Sequence, residues 1–502
     1  MINRIKQLND WKLVLLSGIL IGLSYPPTKL GFLVWVGFVP LLILIDHNSP
    51  RSCGKYFFFS GVMSNLIVMY WLAFNSGEKF IIVLFSMIGG VLYLSLFWLV
   101  LGYAIGKIHV KTGKGFVLLP FLWTAMEYLI SFGSLGFPWI SLATTQTDFL
   151  PVIQMAEFTG IYGISFWLIT MNILIFKMMK SPTEFSRLIR LWLILTLVLP
   201  WLYGYGRIFI LDRQNANENL VYIAAVQPDV GPSEKWEPKN RDRVFRQLDS
   251  LFMEAAETNP DLIIWPECAT PAYLLKNEFR FNQVYKNVQA TQIPLLSGII
   301  DWDYTEKGRK VYNSAILITP EKEVTKYDKI KLTPFGEYVP FSNFFNLLDK
   351  LNIGVGNYDH GNTYSVFEVN SVSFSTVICF ESVFPQLIRK FVLNGAEYLV
   401  IIANDGWYGF TSEPFQHAAL SRLRAIEQRI PIVRCANTGI SMIYDRAGRI
   451  KSKLGLGENG VVSAGIIPRT SLTFYGKFGD VFAIICIITS IMMTFWLWRR
   501  ER

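Results

Sequence analysis

The chain has 502 residues, of which 52% are hydrophobic and 15% aromatic, and a formal net charge of +9. That is too apolar for an ordinary soluble enzyme and points to membrane-spanning segments. In such a chain the excess positive charge belongs to cytoplasmic loops, not to a nucleic-acid surface, and no nucleic-acid partner is expected. The five cysteines (Cys53, Cys268, Cys379, Cys435, Cys486) have no CxxC or zinc-ligand spacing, and the four histidines are scattered, so neither a metal site nor a Ser-His-Asp set is expected.

Apolar runs follow one another through the first 209 residues, at about 13–25, 30–46, 56–75, 80–106, 115–133, 152–176 and 188–209, and an eighth lies at 478–498. Several are about 20 residues, long enough to cross ~30 Å of hydrocarbon. The first two are interrupted by Pro26-Pro27 and Pro40. No small-residue cleavage site follows the first run, so it reads as a helix and not as a signal peptide. The stretch from Gly133 to Pro151 carries one charge, Asp148, and is expected to lie in the membrane interface.

Charge sets the orientation. With the N-terminus (Arg4, Lys6, Lys12) in the cytoplasm, the inside loops hold Arg51 and Lys55, then Lys107, Lys111 and Lys114, then Lys177, Lys180, Arg187 and Arg190. The tail Arg499, Arg500, Arg502 is inside as well, whereas short outside loops hold only Lys29 and Lys79. This asymmetry places residues 210–475 outside the cytoplasm. Glu127 and Glu157 fall in or near spans and have two readings, a functional carboxylate at membrane depth or a hydrated one near an interface.

From Leu220 the texture changes to short apolar strands alternating with helical patterns. Tyr222–Val226, Asp261–Glu267, Ile293–Ile300, Ala315–Thr319, Tyr398–Ala403 and Ile432–Asn437 read as strands. Arg241–Thr258 and Phe415–Gln428 read as amphipathic helices, and Ser441–Ile450 as a hairpin. Continuous apolar strands with helices between them predict an α/β sheet covered on both faces. Chemistry in such folds gathers at strand ends, and three ends carry Glu267, Cys379 and Asn404. Domains are expected at 1–209 (seven spans), 210–475 (catalytic) and 476–502 (last span and basic tail).

Val372–Ile378 delivers Cys379 to the start of a predicted helix at Val383–Ile388. There a helix dipole would favour the thiolate, the nucleophilic form. On this stretch alone the alternative is a buried cysteine acting as a small hydrophobe. Cys268 follows Glu267 directly, and strand alternation predicts that it points away from its neighbour. Cys435 reads as a core strand cysteine. The segment Tyr327–Pro340 is loop-like and offers Lys329, Lys331 and Glu337. Either lysine can be a solvated charge, and spacing to Glu337 favours Lys329.

Taken together, Trp265-Pro266-Glu267, Tyr327-x-Lys329 before Pro334-Phe335-Gly336-Glu337, and Ile378-Cys379-Phe380-Glu381 resemble the nitrilase superfamily in order and context. Asn404-Asp405-Gly406-Trp407 and Arg434-x-x-Asn437-Thr438-Gly439 extend the match. With membrane spans on both sides, nearly the whole chain resembles the membrane-embedded branch of that superfamily, the apolipoprotein N-acyltransferases of the bacterial inner membrane. The resemblance implies a bundle of about eight transmembrane helices plus an extracytoplasmic, periplasmic nitrilase-like αββα sandwich with a Glu267–Lys329–Cys379 triad. It implies a phospholipid acyl donor such as phosphatidylethanolamine, a thioester on Cys379, and a diacylglyceryl-apolipoprotein acceptor. This is covalent ping-pong transfer, and no cofactor is needed because the donor is already an ester.

By the same resemblance Glu337 and Glu381 are supporting carboxylates, Trp236 is a lid tryptophan, and Asn404 and Trp407 are loop positions near the site. Phe380 stands where relatives often have tyrosine, so a phenol hydroxyl is absent and a backbone role remains. Because each exposed CH₂ costs about 0.8 kcal/mol, the thiol is expected near the membrane surface. Phe341, Phe344, Phe345, Leu347 and Leu348 either dip into the interface as a mobile lid or pack against the sheet or spans. The competing functions are a membrane-tethered amidase acting on a small C–N substrate and a receptor or scaffold that has lost catalysis. The amidase needs only one anchor, and the scaffold predicts a broken triad. A transporter lacks the expected internal repeat.

Overall fold

The computed structural model describes residues 9–180, 186–215, 218–306, 308–340 and 357–499. Arg4, Lys6, Arg500, Arg502 and the proposed lid residues Phe341, Phe344, Phe345, Leu347 and Leu348 lie outside the described residues. Packing divides the chain into two compact units. One comprises Met1–Ala73, Ile81–Ile210 and Phe478–Arg502; the other comprises Phe74–Phe80 with Leu211–Lys477.

The first unit is helical. Among the described residues, four helices are long and apolar enough to cross a membrane: Pro50–Phe74, Phe80–Thr112, Ile161–Lys180 and Arg187–Gln214. Each of the other four apolar runs also carries helix, but shorter: Asp10–Gly22, Gly31–Ile45, Gly115–Ile130 and Val481–Leu497. The second run is subdivided at Phe38, before Pro40 in the first turn of Val39–Ile45. Phe85, Leu92, Leu96 and Val100 are exposed along the Phe80–Thr112 helix, as residues facing hydrocarbon would be.

The stretch 133–151 carries two short 3-10 turns, Pro138–Ile140 and Leu142–Gln146. The second is buried, and Gln146 donates to Gly31 O at 2.9 Å and accepts from Trp35 Nε1 at 2.9 Å. Both polar atoms of the Gln146 side chain are thus bonded within the unit. Glu127 and Glu157 are both buried and held by protein donors. Glu127 accepts from Trp123 Nε1, Ser141 Oγ, Ser165 Oγ and Leu142 N within 3.0 Å. Glu157 pairs with Arg207 Nε at 2.8 Å and with the Tyr203 hydroxyl.

The second unit is a sandwich of two six-stranded sheets. The first uses β1 (Val221–Gln227), β2 (Leu262–Trp265), β3 (Leu295–Thr305), β4 (Gly308–Ile318), β5 (Val324–Asp328) and β12 (Gly460–Ile466), in the order β12-β1-β2-β3-β4-β5. The second uses β6 (Phe367–Val369), β7 (Val372–Ile378), β8 (Tyr398–Ala403), β9 (Ile432–Ala436), β10 (Ser441–Tyr444) and β11 (Ile450–Leu454), in the order β11-β10-β9-β8-β7-β6. In each sheet the three parallel strands are central: β1, β2 and β3 in one, β7, β8 and β9 in the other.

Alternation explains why these strands are apolar throughout. Ile223 and Ala225 of β1 join Val377, Ile401 and Cys435 in the core between the sheets. Ala224 and Val226 face outward onto Val244, Leu248 and Phe252 of the Arg241–Ala256 helix. Helices Pro385–Leu393 and Glu413–Gln428 cover the second sheet. The result is the expected helix–sheet–sheet–helix layering, with β2, β5, β7 and β8 ending around one cavity.

Candidate active site

The cavity is lined by Glu267, Cys268, Asn313, Lys329, Glu337, Cys379, Asn404, Trp407, Tyr408 and Glu413, with Trp236 and Tyr358 at one side. Its volume is about 120 Å³, room for several waters at the ~10–15 Å³ that one water needs. Trp236, Tyr358 and Ile300 also line an adjoining, wider cavity of about 550 Å³. Trp236 is 39% exposed, so it stands between the two spaces with little packing to hold it.

Glu267 follows β2 by way of Pro266 and is buried. It accepts from Asn313 Nδ2 at 2.8 Å. The turn is close against β3: a Cβ on Gly298 would lie 2.5 Å from Pro266 O and 2.7 Å from Glu267 Cα. Only glycine permits that approach. Lys329 extends β5, its N–H donating to Asn313 O at 2.9 Å, and is 1% exposed. Its ammonium lies 2.8 Å from Glu337 Oε2 and 3.9 Å from Glu267 Oε1. Glu337 also accepts from Asn313 Nδ2 and Thr333 N, both at 2.8 Å. Lys331 points elsewhere, its ammonium 5.1 Å from the centroid of the Phe384 ring.

Cys379 directly follows β7 with φ of +52°, a left-handed conformation that costs a non-glycine residue about 1–3 kcal/mol. Its neighbours hold it there. Its carbonyl accepts from Ser382 Oγ at 2.8 Å and lies 3.1 Å from His417 Nε2. Behind it, Glu381 accepts four donors: Ile378 N at 2.8 Å, Ile330 N at 2.8 Å, Lys331 N at 2.9 Å and the Tyr327 hydroxyl at 2.8 Å. One buried carboxylate therefore ties the end of β7 to the segment carrying Lys329. Phe380 is buried against Phe384, with ring centroids 5.1 Å apart. Neither Phe380 nor Glu381 lines the cavity.

The charges are arranged for proton transfer. Burial pushes the Glu267 carboxyl above its ordinary range, Glu337 adds to this, and Lys329 opposes it. Burial and then the charge of Glu267 push the Cys379 thiol well up. Burial would lower Lys329, but Glu337 and Glu267 raise it, so it is a fixed cation. Burial would raise Glu337, but Lys329 and its hydrogen bonds hold it low. The pair next to Lys329 is thus one firm anion, Glu337, and one stronger base, Glu267.

Two expectations are corrected here. The thiolate is not favoured at rest: Cys379 opens a five-residue 3-10 turn, the α-helix begins only at Pro385, and burial raises the thiol. Cys268 does not point away from the site. β2 ends at Trp265, Cys268 has φ of +46°, and it lines the cavity with Glu267. Cys435 is core, as expected.

Sequence reasoning missed Asn313, Tyr408, Glu413 and the distant segment Asn75–Gly77. Asn313 meets Lys329 just beyond the β4–β5 register, where its carbonyl accepts from Lys329 N, information no local motif carries. Asn75 and Gly77 line the cavity, and Ser76 N–H donates to Trp407 O at 2.8 Å. Asp405, flagged only as part of a motif, bonds Arg434 Nη2 at 2.5 Å and lies 3.0 Å from His417 Nδ1.

Comparison with known proteins agrees with this layout. The carbon-nitrogen hydrolase family profile matches residues 222–471. The profile for the apolipoprotein N-acyltransferase N-terminal domain matches residues 17–174. Among curated relatives, an apolipoprotein N-acyltransferase of Geobacter metallireducens is 30% identical, over 98% of this chain and 96% of its own length. One of Chlorobaculum tepidum is 32% identical, over 95% and 94% respectively.

Proposed function

The chain belongs to the apolipoprotein N-acyltransferase family, and from that premise we propose that it moves an acyl chain from a phospholipid, through a thioester on Cys379, to the N-terminal amino group of a diacylglyceryl-apolipoprotein. The observation that carries this reading is the convergence of Glu267, Lys329 and Cys379 on one cavity. In the first half-reaction the Cys379 sulfur attacks the sn-1 ester carbonyl while Glu267 takes the thiol proton. Lys329 stabilises the oxyanion. The C–O bond breaks, the proton passes to the departing lysophospholipid oxygen, and a thioester remains. In the second half the acceptor amine attacks the thioester, the C–S bond breaks, and an amide forms.

The resting charges support this sequence. A thiol pushed up by burial stays protonated until a base is in line, and a carboxylate pushed up by burial is a better base than an exposed one. The proposed donor is phosphatidylethanolamine. The proposed setting is the bacterial inner membrane, crossed about eight times by residues 1–209 and 476–502. The catalytic part, 210–475, then lies on the periplasmic side, and the basic inside loops support that orientation.

The decisive measurement is the intact mass of the full-length protein after incubation with phosphatidylethanolamine. The expected result is a hydroxylamine-labile gain of one acyl chain, absent from Cys379→Ala and retained in Cys268→Ala. An adduct retained in Cys379→Ala, or none with any phospholipid, rejects the reading.

A further inference from the structure

The same cavity is lined by a carboxylate for which the thiol chemistry has no use. Glu413 opens the helix Glu413–Gln428 and lines the cavity with Cys379 and Tyr408. It is 3% exposed. Its Oε1 lies 3.5 Å from His417 Nδ1, and its buried Oε2 has no hydrogen-bond partner. A buried carboxylate oxygen left without a donor is unfavourable, and such atoms in native structures call for an explanation.

The groups facing Glu413 are Asp405 after β8, His417 one turn along its own helix, Arg434 on β9, Tyr408 and Cys379. Asp405, Glu413 and His417 bring ligand-type atoms within 4.8 Å of one another. The cation at that cluster is Arg434, whose Nη2 lies 2.5 Å from Asp405 Oδ2 and 3.1 Å from His417 Nδ1. Arg434 is bonded to Asp405, Glu413 Oε1 faces His417 at 3.5 Å, and Glu413 Oε2 is left without a donor. Burial, then the charge of Asp405, pushes the Glu413 carboxyl up to about 7.

The missing partner has a definite chemistry. An α-amino group titrates near about 8, so the acceptor arrives largely as an ammonium and must lose a proton before it can attack. We infer that Glu413 receives the acceptor's ammonium at the thioester and takes its first proton. This rests on the acyl-transfer reading above. The step balances. The ammonium gives one proton to the Glu413 carboxylate, and the free amine attacks the thioester carbonyl. The C–S bond breaks, one of the two remaining amine protons reaches the Cys379 sulfur by way of Glu267 while the other stays on the amide nitrogen, and amide, thiol and protonated Glu413 result. Glu413 then releases its proton to water.

The test uses full-length protein charged with phosphatidylethanolamine and then given a synthetic diacylglyceryl lipopeptide, with both half-reactions followed by mass from mildly acidic to mildly alkaline pH. Glu413→Gln is expected still to form the thioester but to transfer it about 10²-fold more slowly, with loss of the pH step near neutrality. Glu413→Asp, which keeps the charge, is expected to keep the step. The inference is overturned if Glu413→Gln transfers at the wild-type rate across the pH range. It is equally overturned if Glu413→Gln forms no thioester, since Glu413 would then not be confined to the acceptor half. If the wild-type protein forms no thioester, the acyl-transfer reading fails instead.

Discussion

The Lys329 ammonium stands 2.8 Å from Glu337 Oε2. That pairing keeps the cation off Glu267, 3.9 Å away, and leaves Glu267 free to act as a base. Replacing Glu337 by Gln removes a negative neighbour that raises Glu267 and releases Lys329 toward it. Both effects lower the Glu267 pKa. The rate of thioester formation rises with pH as Glu267 ionises, so the acidic limb in Glu337→Gln is expected to move to lower pH. The plateau is expected to fall about 10²-fold because Lys329 is misplaced. A single-turnover pH profile checks both; a limb that moves to higher pH contradicts the argument.

Asn313 Nδ2 bonds Glu267 and Glu337 at 2.8 Å each. An Asn313→Leu change withdraws a hydrogen bond that favours the ionised form of Glu267. Its acidic limb should therefore move up in pH, opposite in sign to Glu337→Gln. The two variants measured together separate loss of a donor from loss of a charge.

Glu381→Gln puts an amide where four donors converge. The amide nitrogen cannot accept, so at least one buried N–H is stranded, at about 1–3 kcal/mol each. Thermal unfolding in detergent should shift down accordingly, and thioester formation should fall even in protein that remains folded. Unchanged unfolding would mean that water replaces the lost acceptor.

Gly298→Ala places a methyl group against Pro266 O and Glu267 Cα. Both are backbone atoms and cannot rotate away. The Glu267 turn must move, and about 10²-fold loss of thioester formation is expected with Cys379 still open to maleimide labelling. Wild-type rates would show that β3 yields instead.

Trp236→Ala removes a partly exposed ring that borders two cavities. Little stability should be lost, while KM for phospholipid rises more than kcat falls. Equal loss of folding and turnover would assign Trp236 to packing.

Much of the catalytic unit is legible in the chain because parallel strands buried on both faces must be apolar from end to end. The polar residues that close them, Glu267, Cys379 and Asn404, therefore stand out. Legibility fails where one residue's place depends on another segment. Tyr327 and Asp328 read as loop because β5 is short and owes its existence to pairing with β4. Strand alternation does not reach Cys268, because the strand stops at Trp265, three residues earlier. Glu413 looks like an ordinary acid in the first turn of a helix. The apolar runs mark where the helices lie, but among the described residues length separates four of them from the rest.

Residues Phe74–Phe80 pack with Leu211–Lys477 although about 130 residues separate them in the chain. A gene fragment starting at Leu211 would encode both sheets and all of Glu267, Lys329 and Cys379. It would nevertheless omit Asn75 and Gly77 from the cavity wall and the N–H that Trp407 O accepts. A soluble excised domain is therefore a poor surrogate for screening inhibitors. Compounds selected on it would meet an opening that the intact protein fills, and a Trp407 carbonyl turned toward water.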